Sequence, residues 1–211
     1  MRAVVFDIDT QRDFMEPDGG LYVPGAERIV PALRRVLETA RDCGVPVVAS
    51  MDTHRPDDPE FASFPPHCIA GTHGQEKLPE TTIGPFRVVP NLARPIRPRK
   101  GETLRLEKTT LSLLETVNFD ATLAALRPEL AVVVGVATEY CVRATALGLR
   151  QRGLDVAVVT DAVRAVDSQA GTRALADVRA VGGRVIPVAE AVRLLHEHGR
   201  CAQESQRRRP R

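Results

Sequence analysis

Tryptophan is absent from these 211 residues, aromatic side chains make up only 4% of them, and of 29 basic side chains only Lys77, Lys100 and Lys108 are lysines. The four cysteines, Cys43, Cys68, Cys141 and Cys201, form no C-x-x-C pair, which favours free thiols in a reducing compartment over a disulfide frame. No G-x-G occurs, so a dinucleotide-binding fingerprint is missing. No apolar run approaches the length of a membrane span, and the N-terminus enters a strand pattern without a signal-peptide layout. The expectation is a cytoplasmic protein with no membrane partner. A net charge of +2, with basic residues scattered except for Arg207, Arg208, Arg209 and Arg211, gives no nucleic-acid face. The basic tail 201–211 is expected to be disordered.

What is present is a chain with 43% apolar content, enough to bury one sizeable core over residues 1–200. Runs of β-branched residues alternate with amphipathic stretches, and the runs read as strands buried on both faces. This predicts a three-layer α/β/α, Rossmann-like fold with a mostly parallel central sheet of about six strands. Strands are expected at 3–8, 45–49, 104–107, 130–136, 155–159 and 184–188. Helices are expected at about 26–42, from 119, and at 138–152, 168–180 and up to 198. Between 53 and 98 the pattern dissolves into a Pro-, Gly- and His-bearing loop holding three of the five histidines; loops this long inside a compact domain are commonly functional.

Ligands of open α/β sheets collect at the carboxyl ends of the strands, and Asp7, Asp9, Asp52, Lys108 and Ala137 all fall there. Cys141 follows in Gly135-Val-Ala-Thr-Glu-Tyr-Cys-Val142, in the first turn of a helix. Free N–H groups and the helix dipole favour an anion in such a turn, which predicts a lowered thiol pKa. The same turn offers donors for a tetrahedral oxyanion. Cys43, Cys68 and Cys201 lack such a setting and read as structural. Asp9 is placed to take a thiol proton and return it to a departing amine, while Asp13 reads equally as a loop cap. Lys108, an ammonium in an arginine-rich chain, is a compact charge able to hold a thiolate and a carboxylate together.

Asp52, His54, Glu60 and His67 lie in one stretch after the second strand. Their two imidazoles and two carboxylates suit a divalent ion, Zn first, with Mn or Fe as alternatives. His73 is a spare candidate, and His196 and His198 read as surface groups. Phe6-Asp-Ile-Asp-Thr10 has the look of a D-x-D-x-T phosphatase signature, but Gln11 breaks the pattern, and that reading leaves Cys141 and the histidines without a role.

With these residues assembled, the chain resembles the isochorismatase-like cysteine hydrolases, and within them the nicotinamidases. The resemblance runs nearly end to end through Asp9-Thr-Gln-Arg-Asp-Phe14, Asp52-Thr-His54, Phe64-Pro-Pro-His-Cys-Ile-Ala-Gly-Thr72, Lys108 and Gly135 to Val142. It implies a triad of Asp9, Lys108 and Cys141, an oxyanion hole from the N–H groups of Ala137 and Cys141, and a cis peptide between Val136 and Ala137. It further implies a metal held by Asp52, His54 and His67, with Glu60 in a position where some nicotinamidases carry histidine and others glutamate. Phe14 and Phe64 match the residues that sandwich a pyridine ring, with Val136 beside them. Leu111 departs from the aromatic residue that many nicotinamidases place there. The expected partner is a small carboxamide, with a homo-oligomeric assembly. The alternatives are an amidohydrolase of a carbamoyl or aliphatic amide, a vinyl-ether hydrolase, which would dispense with the cysteine, and a non-catalytic binding protein that has kept the fold.

Overall fold

The computed structural model describes residues 2–99 and 101–199; the basic tail expected to be disordered, with Cys201 in it, lies outside them. A seven-stranded, wholly parallel sheet forms the centre, in the order β3-β4-β2-β1-β5-β6-β7. Its strands are β1 (Ala3–Ile8), β2 (Val47–Asp52), β3 (Phe86–Val89), β4 (Thr103–Lys108), β5 (Leu130–Val136), β6 (Asp155–Arg164) and β7 (Arg184–Ile186). Every residue of β1 and β5 is buried. Continuous apolar runs such as Leu130-Ala-Val-Val-Val belong in a sheet covered on both faces.

The helices are α1 (Arg12–Met15), α2 (Val30–Asp42), α3 (Phe119–Leu126), α4 (Arg143–Gln151), α5 (Ser168–Ala180) and α6 (Val188–His198). Leu33, Val36, Leu37 and Ala40 recur along α2 at helical spacing and are buried, forming a core with Val5, Val132 and, from α6, Leu194 and Leu195. Burial of each such leucine or valine contributes roughly 1.5–3 kcal/mol. On the opposite face Phe6, Val133 and Val158 pack with Phe119 of α3, Ala146 and Leu149 of α4 and Val178 of α5. The alternation of Val4 and Phe6 with Ala3 and Val5 sends successive β1 side chains to the two cores.

Several boundaries differ from the sequence expectation. The sheet has seven strands rather than about six, because β3 lies inside the stretch 53–98. That stretch also holds three short 3-10 turns, Pro59–Ala62, His73–Gln75 and Pro79–Thr81. β3 is an edge strand of four residues, only one of them buried, so its pattern carries no apolar periodicity to detect. The second strand runs 47–52 rather than 45–49, since Val45 and Pro46 complete the turn from α2; the Val45 N–H bonds back to Ala40 and the Pro46 carbonyl accepts from Val5. The segment 26–42 starts as a 3-10 turn at Ala26–Ile29, and 138–152 starts as a π-helical turn at Thr138–Val142. Cys68 and Cys141 are free thiols, both buried.

The order places β1 between β2 and β5, so the chain builds β2 to β4 on one side of β1 and β5 to β7 on the other. Such a switch point opens a crevice at the carboxyl ends of the strands, and the carboxyl ends of β1, β2, β4 and β5 surround it. No helix among the described residues is long and apolar enough to cross a membrane.

Candidate active site

Asp9 follows β1 in a left-handed backbone conformation, φ 49°, which aspartate tolerates better than most residues. Ser50 of β2 fixes it twice: its Oγ donates to Asp9 Oδ1 at 2.6 Å and accepts from the Asp9 N–H at 2.9 Å. The other oxygen, Oδ2, lies 3.0 Å from Lys108 Nζ. Lys108 ends β4 in register with Asp52 at the end of β2, and its ammonium bonds the Asp52 carboxylate and the Thr110 carbonyl, the latter at 3.1 Å. Cys141 Sγ stands 3.9 Å from the same nitrogen. The structure therefore brings Asp9, Lys108 and Cys141 together, all of them buried.

Burial and neighbouring charges together set the direction of each shift. Burial raises the Asp9 carboxyl above its ordinary value, with the Asp52 charge adding to the rise while Lys108 and Ser50 oppose it. It pushes the Cys141 thiol well above the usual thiol range; Lys108 opposes and Asp9 adds. This corrects the expectation of a depressed thiol pKa. Desolvation of the sulfur outweighs its place in the first turn. Burial disfavours the Lys108 ammonium, but Asp52 and Asp9 overcome it and raise its pKa well above normal.

Gly135 precedes this turn with φ 113°, and a Cβ there would lie 1.9 Å from the Ile8 carbonyl oxygen. Only glycine lets β5 approach β1 so closely. The peptide bond between Val136 and Ala137 is cis. The Ala137 carbonyl accepts from the N–H groups of Tyr140, at 3.1 Å, and Val142, at 3.3 Å, closing the turn that presents Cys141.

Asp52, His54 and His67 converge as a buried trio whose donor atoms lie within 4.8 Å of one another. His54 Nε2 lies 3.7 Å and His67 Nε2 3.8 Å from Asp52 Oδ2, and neither ring nitrogen of His54 has a hydrogen-bond partner. A fully buried imidazole that completes no hydrogen bond, facing a carboxylate and a second imidazole, is what a divalent cation with N and O ligands would satisfy. The residues fit such an ion. Glu60 does not join that trio; it groups instead with His54 and Asp58, half-buried on the turn Pro59–Ala62. Burial and the Asp52 charge raise its pKa. Burial pushes Asp52 upward as well, but Lys108 and the two imidazoles outweigh it and hold its carboxyl well below the usual range. His73 is exposed and pairs with Glu76 at 3.2 Å, away from the trio.

A cleft of about 260 Å³ opens onto these groups, lined by Asp9, Cys141, Asp52, Glu60 and His67. Its walls include Phe14, Phe64, Leu111, Val136 and Ala137. This lies just below the roughly 300–1,000 Å³ typical of drug-sized ligands, so the cleft suits a small molecule. Phe14 stands against the His67 ring at 5.3 Å, and Phe64 meets Tyr140 edge-on at 6.3 Å.

Several contributors escaped the sequence reading. Ser50, Asp58 and Phe61 act through contacts that spacing does not reveal; Phe61 packs 5.4 Å from His54 and 5.6 Å from His67. Gln11 clamps the Asp52 backbone, accepting from its N–H at 2.7 Å and donating to its carbonyl at 2.9 Å. Asp13 is a brace: it accepts from the N–H groups of Cys68 at 2.6 Å and Gly20 at 2.9 Å, tying the loop of His67 to α1. Asp7, counted among the strand-end acids, is taken up by a buried ion pair with Lys77.

Residues 3–190 match the family model described as the isochorismatase domain. The nicotinamidase/pyrazinamidase of Mycobacterium tuberculosis is 31% identical over 85% of this chain and 95% of its own. Among solved structures, a Pyrococcus horikoshii pyrazinamidase in complex with zinc superposes with a TM-score of 0.74 at 26% identity, covering 89% of this chain and 99% of that one. An N-carbamoylsarcosine amidase from Thermoplasma acidophilum superposes with a TM-score of 0.71 at 31% identity over 89% and 97%.

Proposed function

The chain belongs to the isochorismatase family, and on that premise we propose that it is a metal-containing cysteine amidohydrolase that converts nicotinamide and water to nicotinate and ammonia. One observation carries the reading: Cys141 and its buried carboxylate Asp9 share a small cleft with Asp52, Glu60 and His67. A nucleophile at one wall and nitrogen–oxygen metal ligands at another match a substrate with a carboxamide on a ring that carries its own donor nitrogen.

In the proposed mechanism the Asp9 carboxylate takes the proton from Cys141 as Sγ attacks the carboxamide carbon. Lys108, 3.0 Å from Asp9 and 3.9 Å from Sγ, balances the negative charge that moves between them. The carbonyl oxygen becomes an oxyanion held by the N–H groups of Ala137 and Cys141. The C–N bond breaks, the proton on Asp9 passes to the leaving nitrogen, and ammonia departs from a thioester. Water then gives a proton to Asp9 and its oxygen to the acyl carbon; the C–S bond breaks, and the thiolate recovers the proton from Asp9. Asp52, His54 and His67 would hold the ion, with Glu60 beside them, and the bound ion would supply a Lewis-acid anchor for the ring nitrogen. Phe14 and Phe64 would flank the ring.

A second reading, hydrolysis of a carbamoyl or aliphatic amide, is favoured by one feature. Leu111 stands on the cleft wall at 42% exposure, where an aromatic residue would complete a ring-stacking surface. Ammonia release by the zinc-supplemented protein separates the two. Nicotinamide turnover that disappears in Cys141→Ala supports the proposal. No turnover of nicotinamide, together with turnover of an N-carbamoyl amino acid, supports the second reading. In the proposed reading the protein is a cytoplasmic homo-oligomer serving NAD salvage, and light scattering after gel filtration checks the assembly.

A further inference from the structure

Both imidazoles of the metal loop turn Nε2 toward Asp52 Oδ2, and the groups behind the two rings differ. His67 Nδ1 lies 2.8 Å from the Pro65 carbonyl oxygen. A carbonyl only accepts, so Nδ1 carries the ring proton and Nε2 keeps its lone pair. Behind His54 stands Asp58, with Oδ2, an acceptor only, 3.1 Å from Nδ1, a short contact outside hydrogen-bond geometry. The other Asp58 oxygen, Oδ1, accepts from the Glu60 N–H at 3.0 Å and caps the turn Pro59–Ala62. The Asp58 side chain is 13% exposed and that of His54 is fully buried. One carboxylate thus touches two of the residues grouped around the metal position.

We propose that Asp58 is a positioning residue of the metal site, one oxygen fixing the His54 tautomer so that Nε2 presents its lone pair and the other fixing the turn that carries Glu60. The inference rests on the metal reading above. A metal-bound histidine is commonly oriented by a carboxylate or carbonyl at its second nitrogen, and loss of that partner typically costs about 10–100-fold in metal affinity. His67 uses the carbonyl form and His54 the carboxylate form. The carboxylate also adds negative charge beside a cation without occupying a ligand position.

Asp58→Asn separates this role from simple capping. Asparagine caps as well as aspartate, so its oxygen can keep the Glu60 N–H. The amide nitrogen then replaces Oδ2 in front of His54. Facing a donor, Nδ1 must offer its lone pair, and the ring proton moves to Nε2, where the metal would bind. The expected result is a Zn²⁺ dissociation constant about 10–100-fold higher, measured by competition with a chromophoric chelator. It is accompanied by an altered visible absorption spectrum of the Co²⁺-loaded protein and unchanged thermal unfolding of the metal-free form. Asp58→Ser, which keeps a cap and lets water accept from Nδ1, is expected to lose less. Wild-type Zn²⁺ affinity in Asp58→Asn, whether or not Asp58→Ala binds weakly, overturns the inference and leaves Asp58 a turn cap at most. Failure of the wild-type protein to take up Zn²⁺ overturns the metal reading itself, and the inference with it.

Discussion

Replacing Ser50 with alanine is expected to damage catalysis from the acid side. Ser50 Oγ donates to Asp9 Oδ1 at 2.6 Å and accepts from the Asp9 N–H at 2.9 Å. Removal leaves a buried N–H and a buried carboxylate oxygen unpaired at a residue held at φ 49°. A hydrogen bond to a charged group contributes about 1.5–3 kcal/mol, which as a loss of transition-state stabilisation is roughly a 10- to 150-fold fall in kcat/KM. The sign of the pH effect follows from the same bond. Burial already raises the Asp9 pKa and the Ser50 hydroxyl lowers it, so its loss raises that pKa further. Asp9 must be ionised to accept the thiol proton. Activity is therefore lost as pH falls through a limb that moves to higher pH in Ser50→Ala and returns in Ser50→Thr. The assay is ammonia release at low substrate concentration across the acidic and neutral range. A limb in Ser50→Ala that overlays the wild type would refute the assignment of Asp9 as the base.

Gly135→Ala is expected to lose at least about 3 kcal/mol of stability, because the new methyl would sit 1.9 Å from the Ile8 carbonyl oxygen at a φ of 113°; thermal or urea unfolding measures it, and a near-neutral change would contradict the close approach of β1 and β5. Lys108→Met removes a buried ammonium from between Asp9 and Asp52 and should destabilise by about 3–5 kcal/mol, with kcat down at least about 100-fold; near-wild-type kcat in protein that remains folded would exclude its charge from the mechanism. In the resting protein iodoacetamide should label Cys141, which lines the cleft, before Cys68, which is wholly buried. Burial raises the Cys141 pKa, so the labelling rate should climb with pH through neutrality. Fast labelling independent of pH would mean a standing thiolate instead.

Much of the frame is legible in the sequence because it depends on local patterns. Unbroken runs such as Ala3-Val-Val-Phe and Leu130-Ala-Val-Val-Val can only be strands buried on both sides, and strand ends in a parallel sheet point at one crevice. Asp9, Asp52, Lys108 and Cys141 could therefore be brought together in thought before being found together in space. The rest depends on depth and distant contact. Phe86–Val89 is a four-residue edge strand between Pro85 and Pro90 with one exposed, two half-buried and one buried residue, which leaves no alternation to read. The helix-start position of Cys141 is visible in the sequence, whereas the desolvation that outweighs it is not. Ser50 and Asp58 are ordinary polar residues until Asp9, 41 positions away from Ser50, and the His54 ring are placed against them.

The account rests on covalent attack by Cys141, and intact-mass spectrometry of protein quenched in acid during turnover of nicotinamide tests it most directly. The prediction is a population heavier by one acyl group, mapped to the Cys141 peptide, absent from Cys141→Ala and enriched in variants that slow hydrolysis of the thioester. Ammonia release at an undiminished rate from Cys141→Ala, with no acyl adduct in either protein, would contradict it.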